Sequence, residues 1–418
     1  MLIDALFKLI VKKGRLTVID SKNRAHVFGP GPEPSVTMRL HDPSLEWRLF
    51  FQAPVLLGEA YMDGRLTIED GRIEDLLSLL LSNLGNDPAG PIDRLRHKIR
   101  MAVRRFNQYN PIRRAKRNVA HHYDLSDVLY DNFLDPDRQY SCAYFRTTQD
   151  TLSEAQEQKK RHIAAKLLLR PDQRVLDIGS GWGGLALTLA DLSGARLTGI
   201  TLSKEQLKVA QARARAQGLD DRVEFALRDY REQEGTFDRI VSVGMFEHVG
   251  VNHYAAFFRK VRSLLADDGV ALIHTIGRSD GPGATSPWIR KYIFPGGYSP
   301  ALSEVLPVVE KSGLFVTDVE VLRLHYAETL LAWRNRFREN WEKIKALYDE
   351  RFCRMWEFYL AGSEMAFRHQ GLVVFQIQIS KRVDTVPITR DYIVDWERAH
   401  APTNVTQLPG RGSARLRG

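Results

Sequence analysis

The stretch Val175-Leu-Asp-Ile-Gly-Ser-Gly-Trp-Gly-Gly184 constrains this chain more than any other. An apolar run from Arg174 to Ile178 gives way to glycines alternating with other residues, and Leu185 then opens a second apolar segment. That order reads as a strand, a tight turn and a helix N-terminus. Glycine is needed where a backbone turns sharply and lets a ligand approach closely. Gly179 to Gly184 fits the dinucleotide pattern G-x-G-x-x-G, a weak signal that an ordinary strand-to-helix turn also satisfies. Asp177 lies on the strand before the first glycine. The next strand, Arg196 to Thr201, runs into Thr-Leu-Ser without the carboxylate that a nicotinamide site places on its ribose. A nucleoside cofactor therefore fits, and a nicotinamide dinucleotide fits less well.

Around this turn, strand and helix patterns alternate as a doubly wound sheet requires. The expected strands are Arg174–Ile178, Arg196–Thr201, Val223–Leu227, Phe237–Val243 and Val270–Thr275, with Phe315–Leu322 and Leu372–Ser380 completing seven. Helices are expected from Ser153 to Leu169 and from Glu205 to Gln217, the latter closed by Gly218. Residues 1–90 read as a small α+β unit with no catalytic cluster. Met1 to Val11 forms an amphipathic helix presenting Leu2, Ala5, Leu6, Leu9 and Ile10 on one side. It is too short, and its charges are wrongly placed, for a signal peptide. Strands are expected at Leu16–Ile19, Ala25–Phe28 and within Gly64–Asp70, and a helix at Ile73–Leu84. The apolar patterning continues through Ser35–Leu40 and Glu46–Phe51. No stretch reaches the ~18–20 apolar residues of a membrane span. Two cysteines, Cys142 and Cys353, make no disulfide framework and suit a reducing cytoplasm.

The formal charge of +9 points to an anionic partner, and its distribution says more than its sum. Between Asp93 and Arg117 there are ten basic residues, among them Arg94, Arg96, Arg100 and Arg104, and one carboxylate. Apolar residues are interleaved at partly helical spacing. Such a segment suits anionic lipid head groups, at about 1 kcal/mol per basic residue near the bilayer. A solvated linker helix has the same composition. The chemical motifs of amino-group and cytosine-C5 nucleic-acid methyltransferases are absent, which argues against nucleic acid as the partner.

The remaining motifs fall at expected strand ends, where an open α/β sheet binds its ligand. Ser203-Lys-Glu-Gln206 reads as a capping box, with Gln206 reaching back. The same place would let Thr201, Ser203 and Gln206 hold ribose hydroxyls. Asp229, Tyr230 and Arg231 occupy the next loop, where an adenine would sit. Glu247-His248 follows the fourth strand and offers acid/base chemistry, or a helix-terminal Glu beside a packed His. His274 on the fifth strand is either a satisfied core residue or a group at the ligand edge. No metal-ligand spacing is present. Gly277 to Pro300, rich in Gly and Pro and then in aromatics (Trp288, Tyr292, Phe294, Tyr298), reads as a mobile cover over a channel.

His122-Tyr-Asp-Leu125, Tyr140-Ser-Cys-Ala-Tyr-Phe145, Leu176 to Gly184, Thr201 to Gln206, Gly244-Met-Phe-Glu-His-Val-Gly250 and His274-Thr-Ile-Gly277 together resemble the cyclopropane-fatty-acid-phospholipid synthases, relatives of the mycolic acid cyclopropane synthases. The resemblance runs from about His121 to Trp396 and more loosely into the N-terminal unit. Ser180 stands where relatives often have Cys. The resemblance implies a seven-stranded class I, Rossmann-like methyltransferase domain dependent on S-adenosylmethionine (SAM). It implies residues 1–90 as a lipid-docking unit, 91–120 as a basic amphipathic linker helix, 121–400 as the catalytic domain and 401–418 as a disordered tail. The implied reaction moves the SAM methyl group to a cis double bond of a phospholipid acyl chain, and bound bicarbonate takes the proton that closes the ring. A methyl or methylene branch is the neighbouring outcome; a silent lipid-binding protein and a small-molecule methyltransferase are the more distant ones. By resemblance Cys142, Glu247, His274, Tyr326 and the backbone of Ile276 hold bicarbonate. Tyr140, Ser141, Asp177, Gly179, Gly181, Thr201, Ser203, Gln206, Asp229, Tyr230 and Arg231 hold SAM. Cys142 has no covalent step to perform in this chemistry. The implied setting is cytoplasmic, on the inner membrane face beside unsaturated phospholipid, with a homodimer left open.

Overall fold

The computed structural model describes residues 2–84 and 127–400. The basic segment, His121 to Leu125 and the tail from 401 lie outside them. Strands β1 (Arg15–Ile19), β2 (Ala25–Phe28), β3 (Ser35–Leu40) and β4 (Leu66–Asp70) form a sheet in the order β2-β1-β3-β4. The β1–β2 turn puts Asn23 at φ 62° and is held by Asp20, which accepts the amides of Lys22 and Arg24 at 2.9 Å each. Leu16, Val18, Val36, Met38 and Leu40 alternate inward with the two-residue period of strands, under helices Leu2–Ile10, Leu45–Met62 and Ile73–Leu84.

Two stretches of this unit take a form that their apolar patterning did not specify. Glu46–Phe51 is helical, and that helix kinks at Gln52, two residues before Pro54. The first helix buries Ile3 and Phe7, in line with Val11 just beyond its end, while Leu9 is 49% exposed. Its apolar residues wrap most of the helix, so the sequence alone did not choose the face.

The second sheet contains β5 (Arg174–Ile178), β6 (Arg196–Thr201), β7 (Val223–Leu227), β8 (Phe237–Val243), β9 (Leu265–Arg278), β10 (Phe315–Val321) and β11 (Leu372–Ser380), in the order β10-β11-β9-β8-β5-β6-β7. From β9 to β7 all neighbours are parallel; β11 joins β9 and β10 antiparallel. β9 is longer than its expected Val270–Thr275 core. From β5 the chain winds outward to β6 and β7, and from β8 it winds the other way to β9. The crevice at the carboxyl ends of β5 and β8 is therefore the switch point where such sheets take ligands. Helix Leu152–Leu167 starts at a capping box formed by Thr151 and Glu154, then packs across the sheet. Among the described residues no helix is long and apolar enough to cross a membrane.

Candidate active site

The glycine turn forms one side of a cavity at the switch point. Gly179 sits at φ 92° and Gly181 at φ 55°, and both line it. A Cβ on Gly179 would stand 2.9 Å from the Cβ of Met245, on the loop after β8. Thr201 and Gln206 line the same cavity, with the Thr201 hydroxyl donating to Gln206 Oε1 at 2.9 Å. Ser203 does not line it. Its hydroxyl accepts the Gln206 amide at 3.3 Å as a helix cap, and Gln206 turns to Thr201 instead of closing a capping box. Asp229, Tyr230 and Arg231 form the far wall. The Asp229 carboxylate takes the Arg231 guanidinium at 2.8 and 2.7 Å and its amide at 3.0 Å, which makes the loop rigid.

Asp177 lies beneath the turn, 1% exposed, with no hydrogen bond to either carboxyl oxygen. Burial pushes its carboxyl up to about 7. The buried Ser180 hydroxyl is likewise without a hydrogen bond. Neither side chain lines the cavity, so Asp177, expected at the cofactor, lies under the turn and not in its wall.

A second pocket begins where the first ends, for Gly244 and His248 line both. Cys142, Glu247, His274, Ile276 and Tyr326 all line it, as do Tyr140 and Ser141, which the sequence assigned to the cofactor. Glu247 Oε1 accepts the Ile276 amide at 2.7 Å, so that N–H orients the carboxylate and is not open to a ligand as expected. Glu247 Oε2 is buried with no hydrogen bond. Burial raises the Glu247 carboxyl to about 7 against the pull of the Ile276 amide. His274 Nδ1 lies 3.2 Å from the Gln376 amide nitrogen, and burial holds the ring well below its usual pKa. Burial also pushes up the Cys142 thiol, which donates to the Ala143 carbonyl at 3.3 Å. That environment suits packing better than nucleophilic attack.

Ile289, Phe294 and Tyr298, from the expected cover, make the apolar wall. The Tyr298 amide donates to the Glu247 carbonyl at 2.9 Å, and the Thr285 hydroxyl to the Gly297 carbonyl at 2.6 Å. Trp288 is buried against Phe358, so the cover is pinned to the body. Two neighbours matter beside these residues, one weighed in the sequence as half of the Glu247-His248 pair and one that the sequence did not single out. His248 bridges the cavities and is driven down to about 4 by burial, hence neutral. Lys159 is fully buried and donates to Gln139 at 2.6 Å and to the Ser141 hydroxyl at 2.9 Å. Burial lowers it to about 8. His248 had a signal in its motif; a lysine in a polar helix had none.

The chain matches the family of mycolic acid cyclopropane synthetase over residues 111–377. It is 38% identical over 366 residues to the cyclopropane-fatty-acyl-phospholipid synthase of Escherichia coli K12, covering 87% of this chain and 92% of that one. It is also 38% identical over 363 residues to a probable fatty acid methyltransferase of Pseudomonas putida, covering 84% of this chain and 88% of that one. Among solved structures, mycolic acid cyclopropane synthase CmaA1 complexed with SAH and CTAB superposes with a TM-score of 0.61 at 34% identity. That likeness covers 65% of this chain and 98% of that one. The seven-stranded sheet is that of the class I SAM-dependent methyltransferases.

Proposed function

The chain belongs to the mycolic acid cyclopropane synthetase family, as a SAM-dependent enzyme, and we propose that it converts a cis double bond in a phospholipid acyl chain to a cyclopropane. One observation carries this reading. Cys142, Glu247, His274, Ile276 and Tyr326 line a single pocket that shares Gly244 and His248 with the cavity of the glycine turn. Bound SAM would supply an electrophilic methyl group on a sulfonium.

The protein's part is placement and protection. An alkene is a weak nucleophile, so alignment with the methyl group must supply much of the rate. The cation that follows would be quenched by water, and Ile289 and Phe294 present an apolar wall against it. His248, lining both pockets and neutral, would add no positive charge to that of bound SAM. Ring closure needs a base, for which bicarbonate is the candidate. The residues fit such an anion: Glu247 Oε2 is without a hydrogen bond and would accept from its hydroxyl, while His274 and Tyr326, on the same pocket wall, would donate to the remaining oxygens. The Ile276 amide serves by orienting Glu247. Residues 1–90 and the basic segment 91–120 would face the membrane surface.

Incubation with SAM and unsaturated phospholipid vesicles is expected to add one carbon to the acyl chains. NMR separates a ring from a methyl or methylene branch, and depletion of bicarbonate should slow the reaction. Unaltered acyl chains in replete buffer would rule the activity out.

A further inference from the structure

We propose that Gln376, oriented by Lys166, holds His274 in the tautomer with its proton on Nε2, making the imidazole a hydrogen-bond donor to the pocket and not a base. The inference rests on the reading above only in placing reactants beside His274.

Strand register creates the arrangement. His274 on β9 pairs with Gln376 on β11, and Gln376 pairs with Glu320 on β10. Residues directly opposite on neighbouring strands put their side chains on the same face. Gln376 and His274 are both buried, so what each offers the other cannot be exchanged with water. Helix Leu152–Leu167 crosses that face and sets Lys166, fully buried, over the row.

The Lys166 ammonium donates to Gln376 Oε1 at 2.8 Å and pairs with Glu320. An ammonium has donors only, so the amide oxygen of Gln376 must face it. The amide NH₂ then faces His274 Nδ1 at 3.2 Å. A nitrogen that receives a donor carries no proton in the neutral ring, which leaves the proton on Nε2. Burial, with Lys159 and Lys166 near by, keeps the ring neutral. Glu320 is itself braced by His162 at 2.7 Å, and His162 by Glu397 at 2.6 Å. The row thus runs from the outer strand to the pocket through side chains in contact. Gln376 does not line the pocket and acts only through His274.

The test is Gln376→Glu, which replaces the donating NH₂ by an acceptor. Lys166 keeps that carboxylate ionised, and the imidazole proton should move to Nδ1. Long-range proton–nitrogen NMR on histidine-labelled protein reads the tautomer, with the His274 signals found by their loss in His274→Phe. Wild type is expected as the Nε2–H form and Gln376→Glu as Nδ1–H or imidazolium. Turnover of unsaturated phospholipid should fall about 10–100-fold, as for other orienting partners, with SAH affinity unchanged. An Nδ1–H signal in wild type overturns the proposal without any variant having to fold. So does a Gln376→Glu protein that keeps Nε2–H. Wild type with the Nε2–H signal but no lipid turnover would sink the acyl-chain reading and leave the tautomer assignment standing.

Discussion

Glu247 combines two demands that oppose each other, a place in an apolar pocket and a carboxylate with one oxygen left without a hydrogen bond. Burial raises its carboxyl from 4.5 to about 7. Between those values the folded protein holds a proton that the unfolded chain has released, so this group's contribution to stability falls as pH rises. Glu247→Gln removes that penalty while keeping an acceptor for the Ile276 amide. At pH 8 the variant should be more stable than wild type by about 3 kcal/mol, and the gap should close toward pH 4.5. Denaturant titration at the two pH values measures it; an equal gap at both would mean that Glu247 titrates normally. Turnover of the same variant should drop on the order of 100-fold or more, with SAH binding little changed. Wild-type kcat/KM is expected to rise through about pH 7, the value for this carboxyl, and the variant should lose that limb. Glu247 was visible in the sequence by its motif. Its Ile276 contact was not, because it joins a loop after β8 to the backbone of β9.

The glycine turn works as an element because its backbone, not its side chains, meets the cavity. Gly179→Ala must hold a Cβ at φ 92° and 2.9 Å from the root of Met245. Strain of this kind costs about 1–3 kcal/mol. Calorimetric titration with SAH should show affinity lower by about tenfold or more. Full affinity would mean that the loop after β8 yields. The bounds of β5 to β8 and β11 were readable as short apolar runs closed by turn residues. β9 extends back to Leu265 through Asp267 and Asp268, a pair that reads as a turn, and joins β8 there through a register shift. That pairing is non-local, so no window of sequence reports it.

At the scale of the whole molecule, a charged cluster joins the N-terminal helix Ile73–Leu84 to the helices His325–Glu339 and Glu350–His369. Glu74 takes Arg338 at 2.7 and 2.6 Å and also meets Arg334, while Arg334 and Arg338 reach Glu364 and Glu357 at 2.6 Å each. The Arg334 side chain is 4% exposed, so losing a partner leaves positive charge in a poor solvent. Glu74→Ala should destabilise the protein by about 3 kcal/mol in denaturant unfolding. A change near zero would mean that water replaces the carboxylate. Tyr326 lies one residue into the first of these helices, which ties the small sheet to the second pocket. The basic residues Arg94, Arg96, Arg100 and Arg104 give a further expectation. Replacing all four with Gln should weaken sedimentation with anionic vesicles at low salt, at about 1 kcal/mol per charge. Unchanged sedimentation would assign the lipid contact elsewhere.

The sequence by itself determined the alternation of strand and helix, the glycine turn and the residues able to carry the chemistry. Each of these is written within a few neighbouring positions, as period, turn residue or motif. Only the tertiary structure decided that Tyr140 and Ser141 join Cys142, Glu247 and His274, that Ser203 is a cap, and that Lys159 and Lys166 are buried beside the site. Those facts depend on which strands lie side by side and in what register. Register is set by packing between segments far apart in the sequence, and that information is spread over the whole chain.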